Sequence, residues 1–294
     1  YFRPLDQDLN QFFIATASDD PAASSRQRPD SEHVGRRPTW SPDGQHIAYL
    51  KPRAVGSTQA DDLHVLSIKD GFERLVRRNA PPMSMRWLDS GTVLEQRQAG
   101  PSRYDLYRVD VATQEAEKLG AGLEPGLERP FVFALSPDGQ TLYTAARDAG
   151  VPRGPWDRLV RIEVASGRAT SIFSLPGDLT PVQSLFGLGL AMSPSGRELA
   201  VAIQVQQDRK ARLFRIGVDG TGYKELYEPY RTGGAAEKVA WTRDGIYFSE
   251  AVMSDGPQPV VQRWRVMRIA PEGGAAQSIA EINGNDMAAT FDVR

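Results

Sequence analysis

The chain has 294 residues, and its 35 Lys and Arg against 37 Asp and Glu give a formal charge of −2 at pH 7. This balance argues against a nucleic-acid-binding protein, which normally carries a basic stripe, and the longest nearly apolar stretch (residues 186–192) is far shorter than a ~20-residue membrane span. The absence of cysteine excludes disulfides, thiolate nucleophiles and cysteine-ligated metal sites.

The first predicted element is a strand at residues 11–17, because Gln-Phe-Phe-Ile-Ala-Thr-Ala is rich in residues that favour β-structure. Residues 18–37 follow as a polar connector that contains several Arg. Residues 1–37 are therefore predicted to be an N-terminal strand and connector that precede the main repeated domain.

A turn motif then recurs along the rest of the chain. Its first copy is Trp40-Ser41-Pro42-Asp43-Gly44, and variants begin at Trp87, Leu135, Met192 and Trp241. Pro presets φ at the second turn position, Asp bonds to its own backbone, and Gly adopts the positive φ that completes the reversal. Five copies at intervals of about 50 residues indicate a repeat architecture.

Each copy of the turn is followed by strand-like patterns. Apolar residues alternate directly after the turn, as in Ile47/Tyr49 and Ile246/Phe248, and a third run follows, as at residues 63–68. A short turn rich in Asp and Gly leads to a weaker fourth run, such as residues 72–76. Four antiparallel strands in each unit are typical of a β-propeller blade. The large residue before each turn is predicted to pack between neighbouring blades.

The repeat resembles the PD40, or WD40-like, repeat of TolB-type propellers. The resemblance rests on Trp-Ser-Pro-Asp-Gly, the alternating strand after it, and the Asp-Leu start of the third strand at Asp62-Leu63 and Asp105-Leu106. It covers residues 38–294 and implies six blades. We therefore predict an all-β, six-bladed propeller of four-stranded antiparallel blades that start near residues 38, 83, 131, 187, 237 and 286.

The predicted sixth blade is incomplete, because only its first strand, near residues 286–292, is present in the sequence. The strand at residues 11–17 is predicted to complete this blade as an outer strand, since an N-terminal strand often closes a propeller and covers the sheet edges. A five-bladed propeller is the alternative.

Strand order divides the connections between the two faces of a propeller. The first-to-second and third-to-fourth turns are short and lie on one face. The other face carries the long segments, which are residues 51–62, 97–104, 120–130, 147–157, 174–184, 228–236 and 251–261. Binding residues concentrate on loops that a rigid scaffold holds, so this second face is the predicted functional face.

Aromatic and arginine side chains on this face are the candidate partner-binding residues, because such side chains dominate interface hot spots. They are Tyr104, Trp156, Tyr230, Arg53, Arg103, Arg153 and Arg231. The competing interpretation is that Trp156 and Tyr104 pack on their own blades. The predicted channel mouth carries Arg37, Arg129, Glu237, Lys238 and Asp286. Their mixed signs favour mutual neutralisation around a water-filled channel over an ion or phosphate site.

The sequence carries no recognisable catalytic motif. It has neither a His-Glu-x-x-His nor a Gly-x-Ser-x-Gly motif, and no phosphate-binding glycine loop in a strand-to-helix context. His46 and His64 belong to one blade and could approach each other, but no third ligand accompanies them. We therefore predict no catalytic, cofactor or metal site.

These observations favour a non-enzymatic protein-binding scaffold that docks partner proteins, such as subunits of an envelope assembly, through its long-loop face. The alternative is a sensor or gating propeller of a larger multidomain protein, such as a prolyl-oligopeptidase-type hydrolase or a membrane regulator. A propeller enzyme in its own right is a third hypothesis. The TolB-type resemblance implies a bacterial protein of the periplasm or the cell exterior, without nucleic-acid partners and without a membrane span in this chain.

Overall fold

A computed structural model describes most of the chain. It covers residues 2–5, 9–12, 14–15, 25–26, 36–51, 61–80, 85–100, 103–119, 132–146, 157–176, 188–205, 207–208, 210–231, 239–255 and 260–283. Within these ranges every regular element is a β-strand. No helix in these ranges has the length and hydropathy of a membrane span.

The N-terminal region contributes two short hairpins. Strand β1 (Phe2–Leu5) pairs with β2 (Leu9–Phe12), and β3 (Ile14–Ala15) pairs with β4 (Ser25–Arg26), both antiparallel. The strand predicted at residues 11–17 is thus divided between β2 and β3, and each of these two-stranded sheets is separate from the blades. Its predicted place in a sixth blade stays a prediction, because residues 284–294 lie outside the described part of the chain.

The rest of the described chain forms five four-stranded antiparallel sheets, each with its strands in sequence order. The first contains β5 (Arg36–Trp40), β6 (His46–Lys51), β7 (Asp61–Ser67) and β8 (Glu73–Ala80). The second contains β9 (Met85–Trp87), β10 (Thr92–Gly100), β11 (Arg103–Asp110) and β12 (Ala116–Leu119). The third contains β13 (Phe133–Leu135), β14 (Thr141–Ala146), β15 (Arg158–Glu163) and β16 (Ala169–Ser174).

The fourth sheet contains β17 (Leu188–Met192), β18 (Glu198–Gln204), β19 (Lys210–Gly217) and β20 (Lys224–Arg231). The fifth contains β21 (Val239–Thr242), β22 (Gly245–Met253), β23 (Val261–Ile269) and β24 (Gln277–Asn283). These sheets are the blades of an all-β propeller, as predicted. Five blades are described, and the prediction of six is not confirmed.

The recurring turn forms for the local reasons that its sequence indicates. The Ser41 hydroxyl donates to Asp43 Oδ1 at 2.6 Å and accepts a hydrogen bond from the His46 amide at 2.9 Å. The Gly44 amide donates to the Ser41 carbonyl at 2.8 Å, and Gly44 has a φ of +67°. The turn therefore satisfies its own backbone groups and directs the chain into the second strand.

The chain divides into two compact units. The first holds the first and second blades, except for residues 99–104 at one hairpin, and the second holds the third, fourth and fifth blades. In each unit the apolar core lies between neighbouring blades. Leu63, Val65 and Val93 belong to the core of the first unit. The second unit has two apolar clusters, and Val201 and Phe214 belong to one of them.

The predicted packing role of the large residue before the turn is clearest at Trp87. Its side chain is buried, and its Nε1 donates to the carbonyl oxygen of Thr39 in the preceding blade at 2.9 Å. The corresponding residues Trp40, Leu135, Met192 and Trp241 are half-buried. Trp87 therefore links the two blades of the first unit through both apolar contact and a hydrogen bond.

Candidate functional site

Each blade has an end with short turns and an opposite end, which we call its long-loop end. At the long-loop end the second strand leads to the third, and the fourth strand leads to the next blade. Many of these connections, including residues 52–60, 120–131, 147–156 and 177–187, lie outside the described residues. The candidate site therefore consists of strand ends and of the described part of the connection between β22 and β23.

Tyr230 does not have the role that the sequence predicted for it. Its side chain is only 3% exposed, and its ring lies 5.0 Å from that of Phe248 and 5.8 Å from that of Tyr227. It belongs to the core between the fourth and fifth blades. The prediction of a partner-binding Tyr230 is therefore corrected, because this ring is part of the blade packing. Arg231, the next residue, ends β20 with an exposed side chain.

The other predicted site residues stay predictions. The backbones of Arg37, Arg103 and Tyr104 lie in β5 and β11, but their side chains are outside the described part of the structure. The remaining residues lie wholly outside it, and they are Arg53, Trp156, Arg153, Arg129, Glu237, Lys238 and Asp286.

His46 and His64 do not approach each other as the sequence suggested. In the β6–β7 ladder Tyr49 is opposite His64 and Ser67 is opposite His46. Because side chains alternate between the faces of a strand, this register places the two imidazoles on opposite faces of the sheet. Among the described residues no group of three or more His, Asp or Glu side chains could hold a metal ion.

His64 instead belongs to a cluster on the first blade, which consists of Tyr49, Lys51, His64 and Glu73. The Glu73 Oε1 atom lies 2.5 Å from His64 Nδ1 and accepts a hydrogen bond from Lys51 Nζ at 3.1 Å. The Tyr49 hydroxyl also hydrogen-bonds to this carboxylate. The sequence did not predict this cluster, because it depends on the pairing of three strands that are separated along the chain.

Two groups of this first-blade cluster, the Glu73 carboxyl and the Tyr49 hydroxyl, have strongly shifted pKa values. Burial acts to raise the pKa of Glu73, but hydrogen bonds from His64, Tyr49 and Lys51 outweigh it and hold the pKa far below its ordinary value. Burial and the hydrogen bond to Glu73 raise the pKa of Tyr49 far above its ordinary value. A carboxylate that stays ionised and a phenol that stays protonated suit a structural network better than proton transfer.

A second charged cluster lies between the first and second blades, and we call it the seam cluster. It consists of Arg77, Glu95, Arg97 and Tyr107. Both guanidinium groups contact Glu95 Oε2, that of Arg97 at 3.0 Å, and the Arg97 guanidinium carbon lies 3.8 Å from the Tyr107 ring centroid. The Glu95 side chain is only 5% exposed. The cluster therefore joins two blades through a buried carboxylate.

The fifth blade presents an apolar hairpin at its long-loop end. The hairpin joins β22 to β23, and the Ser254 amide donates to the Val260 carbonyl at 2.8 Å while the Val260 amide donates to Ser254 Oγ at 3.0 Å. The Val260 side chain is 56% exposed, and Val252, Met253 and Val261 are half-buried around it. We call these four apolar residues the hairpin tip. It is part of the segment 251–261 that the sequence assigned to the functional face.

Glu250 lies on β22 near this tip, directly opposite Arg265 on β23. Burial raises the pKa of Glu250; the Arg265 charge lowers it and the Glu228 charge raises it, and the net shift is upward. A carboxyl group with a raised folded-state pKa contributes stability below its unfolded pKa of about 4.3, and this contribution is lost as the pH rises through the folded pKa.

Replacement of Glu250 by glutamine is therefore expected to increase the free energy of unfolding at pH 7, because it removes a half-buried charge that the fold disfavours. The gain should shrink towards pH 4, where the wild-type carboxyl group is mostly protonated in both states. Urea unfolding of both proteins between pH 4 and pH 8 measures this difference. A loss of stability at pH 7 would contradict the prediction.

No family model matches the sequence. The cysteine–tRNA ligase of Anaeromyxobacter dehalogenans is 26% identical over 165 residues, which cover 52% of this chain and 31% of the ligase. The chain thus spans about a third of the length of this curated relative.

Several solved structures resemble this chain over a larger share of its length. TolB from Acinetobacter baumannii is similar with a TM-score of 0.55 and 14% identity over 83% of this chain, which spans 54% of that protein. A putative TolB from Agrobacterium tumefaciens has a TM-score of 0.55 and 15% identity over 84% of this chain and 80% of its own. An oligogalacturonate lyase in complex with manganese has a TM-score of 0.52 and 14% identity over 92% of this chain and 73% of the lyase chain. The predicted TolB-type resemblance is thus confirmed for the fold.

Proposed function

We propose that this chain is a protein-binding scaffold without catalytic activity of its own. It docks partner proteins, or subunits of a larger assembly, through the long-loop end of its blades. The observation that carries the proposal is the hairpin tip, where Val260 is 56% exposed beside three half-buried apolar side chains. Grouped apolar residues on a surface mark interaction sites more often than isolated ones do.

The construction of the hairpin supports a role in recognition. The two backbone and side-chain hydrogen bonds between Ser254 and Val260 hold the described part of the turn on two nine-residue strands. Binding residues on a turn that a rigid sheet holds lose little conformational freedom when a partner docks. Met253 adds an adaptable apolar side chain of the kind that binding surfaces favour.

The fold alone does not decide between binding and catalysis, since its neighbours include TolB proteins and an oligogalacturonate lyase. The proposal therefore rests on the hairpin tip and on the absence of a recognisable catalytic motif in the sequence. We also propose a periplasmic or extracellular location, which the TolB-type repeat supports.

Replacement of both Met253 and Val260 by serine is expected to weaken partner binding by at least about tenfold, which corresponds to ~1.4 kcal/mol. The physical reason is the loss of apolar area that the complex would remove from water. The measurement is quantitative co-purification from extracts of the source organism, with partners identified by mass spectrometry and their affinities determined with purified proteins.

Phe72 provides the matched control. It is the other large apolar side chain that is strongly exposed among the described residues, at 61%, and it lies at the short-turn end of the first blade. The Phe72→Ser variant should retain every association that the hairpin variant loses. If instead Phe72→Ser abolishes partner binding and the hairpin variant retains it, the partner docks at the short-turn end and the proposal is wrong.

A further inference from the structure

One guanidinium group beside the hairpin tip lacks good hydrogen-bond acceptors among the described residues. Arg263 lies on β23, between Val252 on β22 and Asn283 on β24 in the strand ladder. Neither register partner is a carboxylate. Its nearest acidic group in the described structure is Glu281, whose Oε2 atom lies 3.5 Å from Arg263 Nη1. At that distance the two groups form an ion pair but not a good hydrogen bond.

Glu281 is already engaged by a second arginine. Arg265 Nε donates to Glu281 Oε1 at 3.1 Å, and Arg265 lies between Glu250 and Glu281 in the ladder. Arg265 therefore has an acidic residue on each side, whereas Arg263 shares only the second of these. Of these two arginines, Arg263 therefore has the weaker carboxylate contact.

The Nε atom of Arg263 shows the same deficit. It is buried, and it has no hydrogen-bond acceptor among the described residues. A buried donor without an acceptor carries a desolvation cost, and such atoms in a native fold call for an explanation. The Arg263 side chain as a whole is nevertheless 40% exposed, so part of it is accessible to a partner.

We propose that the hairpin tip and Arg263 together bind a segment of a partner protein that carries a carboxylate next to an apolar side chain. The carboxylate accepts hydrogen bonds from Arg263, and the apolar side chain packs against Val260 and its apolar neighbours. A planar guanidinium group matches a carboxylate with two parallel hydrogen bonds, which adds geometric selectivity to the charge attraction. This inference rests on the proposed function and specifies the chemistry of the partner.

The probes are two fluorescein-labelled synthetic peptides, Gly-Ser-Leu-Glu-Leu-Ser-Gly and its counterpart with Gln in place of Glu. Binding to the full chain is measured by fluorescence polarisation at 20 and at about 150 mM salt. The Glu peptide should bind at least about tenfold more tightly than the Gln peptide at low salt, because only the former provides the carboxylate. Arg263→Gln should abolish this preference. Arg263→Lys should retain only part of it, since Lys keeps the charge but lacks the planar guanidinium group that forms two parallel hydrogen bonds.

Arg268 provides the matched control within the same strand. Its Nη2 atom donates to the Gln277 side chain at 2.7 Å, far along β23 from the hairpin tip. Arg268→Gln removes the same charge and should leave the preference for the Glu peptide unchanged. Thermal unfolding of each variant checks that the blade remains folded.

Equal binding of the two peptides, the absence of binding by either, or an equal loss in the Arg263 and Arg268 variants would each overturn the inference. These outcomes are distinguishable from failure of the proposed function. If natural partners depend on Met253 and Val260 but not on Arg263, the scaffold role stands and the carboxylate contact is wrong. If no partner depends on the hairpin tip at all, the proposed function itself fails.

Discussion

Replacement of Gly220 by alanine is expected to destabilise the second unit by at least about 3 kcal/mol. Gly220 lies in the turn between β19 and β20 with a φ of +85°, and an added Cβ atom would lie 1.9 Å from the carbonyl oxygen of Ile172. Ile172 belongs to β16, the outer strand of the preceding blade. Relief of this overlap requires movement of backbone in one of two hydrogen-bonded sheets, so the cost exceeds that of an ordinary surface substitution.

Gly222 in the same turn separates the two contributions to this cost. It has a similar φ of +70°, but an added Cβ atom there would meet no heavy atom within 4 Å. Gly222→Ala should therefore cost only the backbone strain, about 1–2 kcal/mol. Urea unfolding of both variants gives the comparison. Equal losses would mean that the blades separate easily at this point and that the contact with Ile172 contributes little.

The parts of the fold that the sequence predicted well are those that local physics determines. The turn that begins at Ser41 is complete within six residues, because the Ser41 hydroxyl bonds to both the Asp43 carboxylate and the His46 amide. The alternating pattern after it then specifies a strand. Five copies of this signal predicted the blade architecture, whereas the sixth had only one strand of evidence in the sequence.

The candidate site was harder to predict because it depends on contacts between distant strands. Tyr230 lies near the end of β20, whose apolar pattern is weak, and only its packing on Phe248 of the next blade shows that its ring is buried. Glu73 meets His64 only through the pairing of β7 with β8. The segment of the hairpin tip was placed on the correct end of the blade by strand order, but Val260 was not distinguished from its neighbours.

Replacement of Glu95 by alanine is expected to lower the free energy of unfolding of the first unit by about 3 kcal/mol. The Glu95 carboxylate is 5% exposed and is contacted by the guanidinium groups of both Arg77 and Arg97. Its removal leaves two positive charges close together between the blades without the anion that balances them. Arg97 also loses the contact that orients it over the Tyr107 ring, where the guanidinium carbon lies 3.8 Å from the centroid.

Glu117 on the same blade tests whether burial is the cause of this effect. Its Oε2 atom lies 3.6 Å from Arg108 Nε, but the two side chains are 67% and 58% exposed. Glu117→Ala should therefore cost less than about 0.5 kcal/mol, and high salt should remove most of that cost. The loss in Glu95→Ala should persist at high salt, because counterions screen a buried pair poorly. Losses of similar size in the two variants would show that the seam cluster is solvated and that apolar packing alone joins the blades.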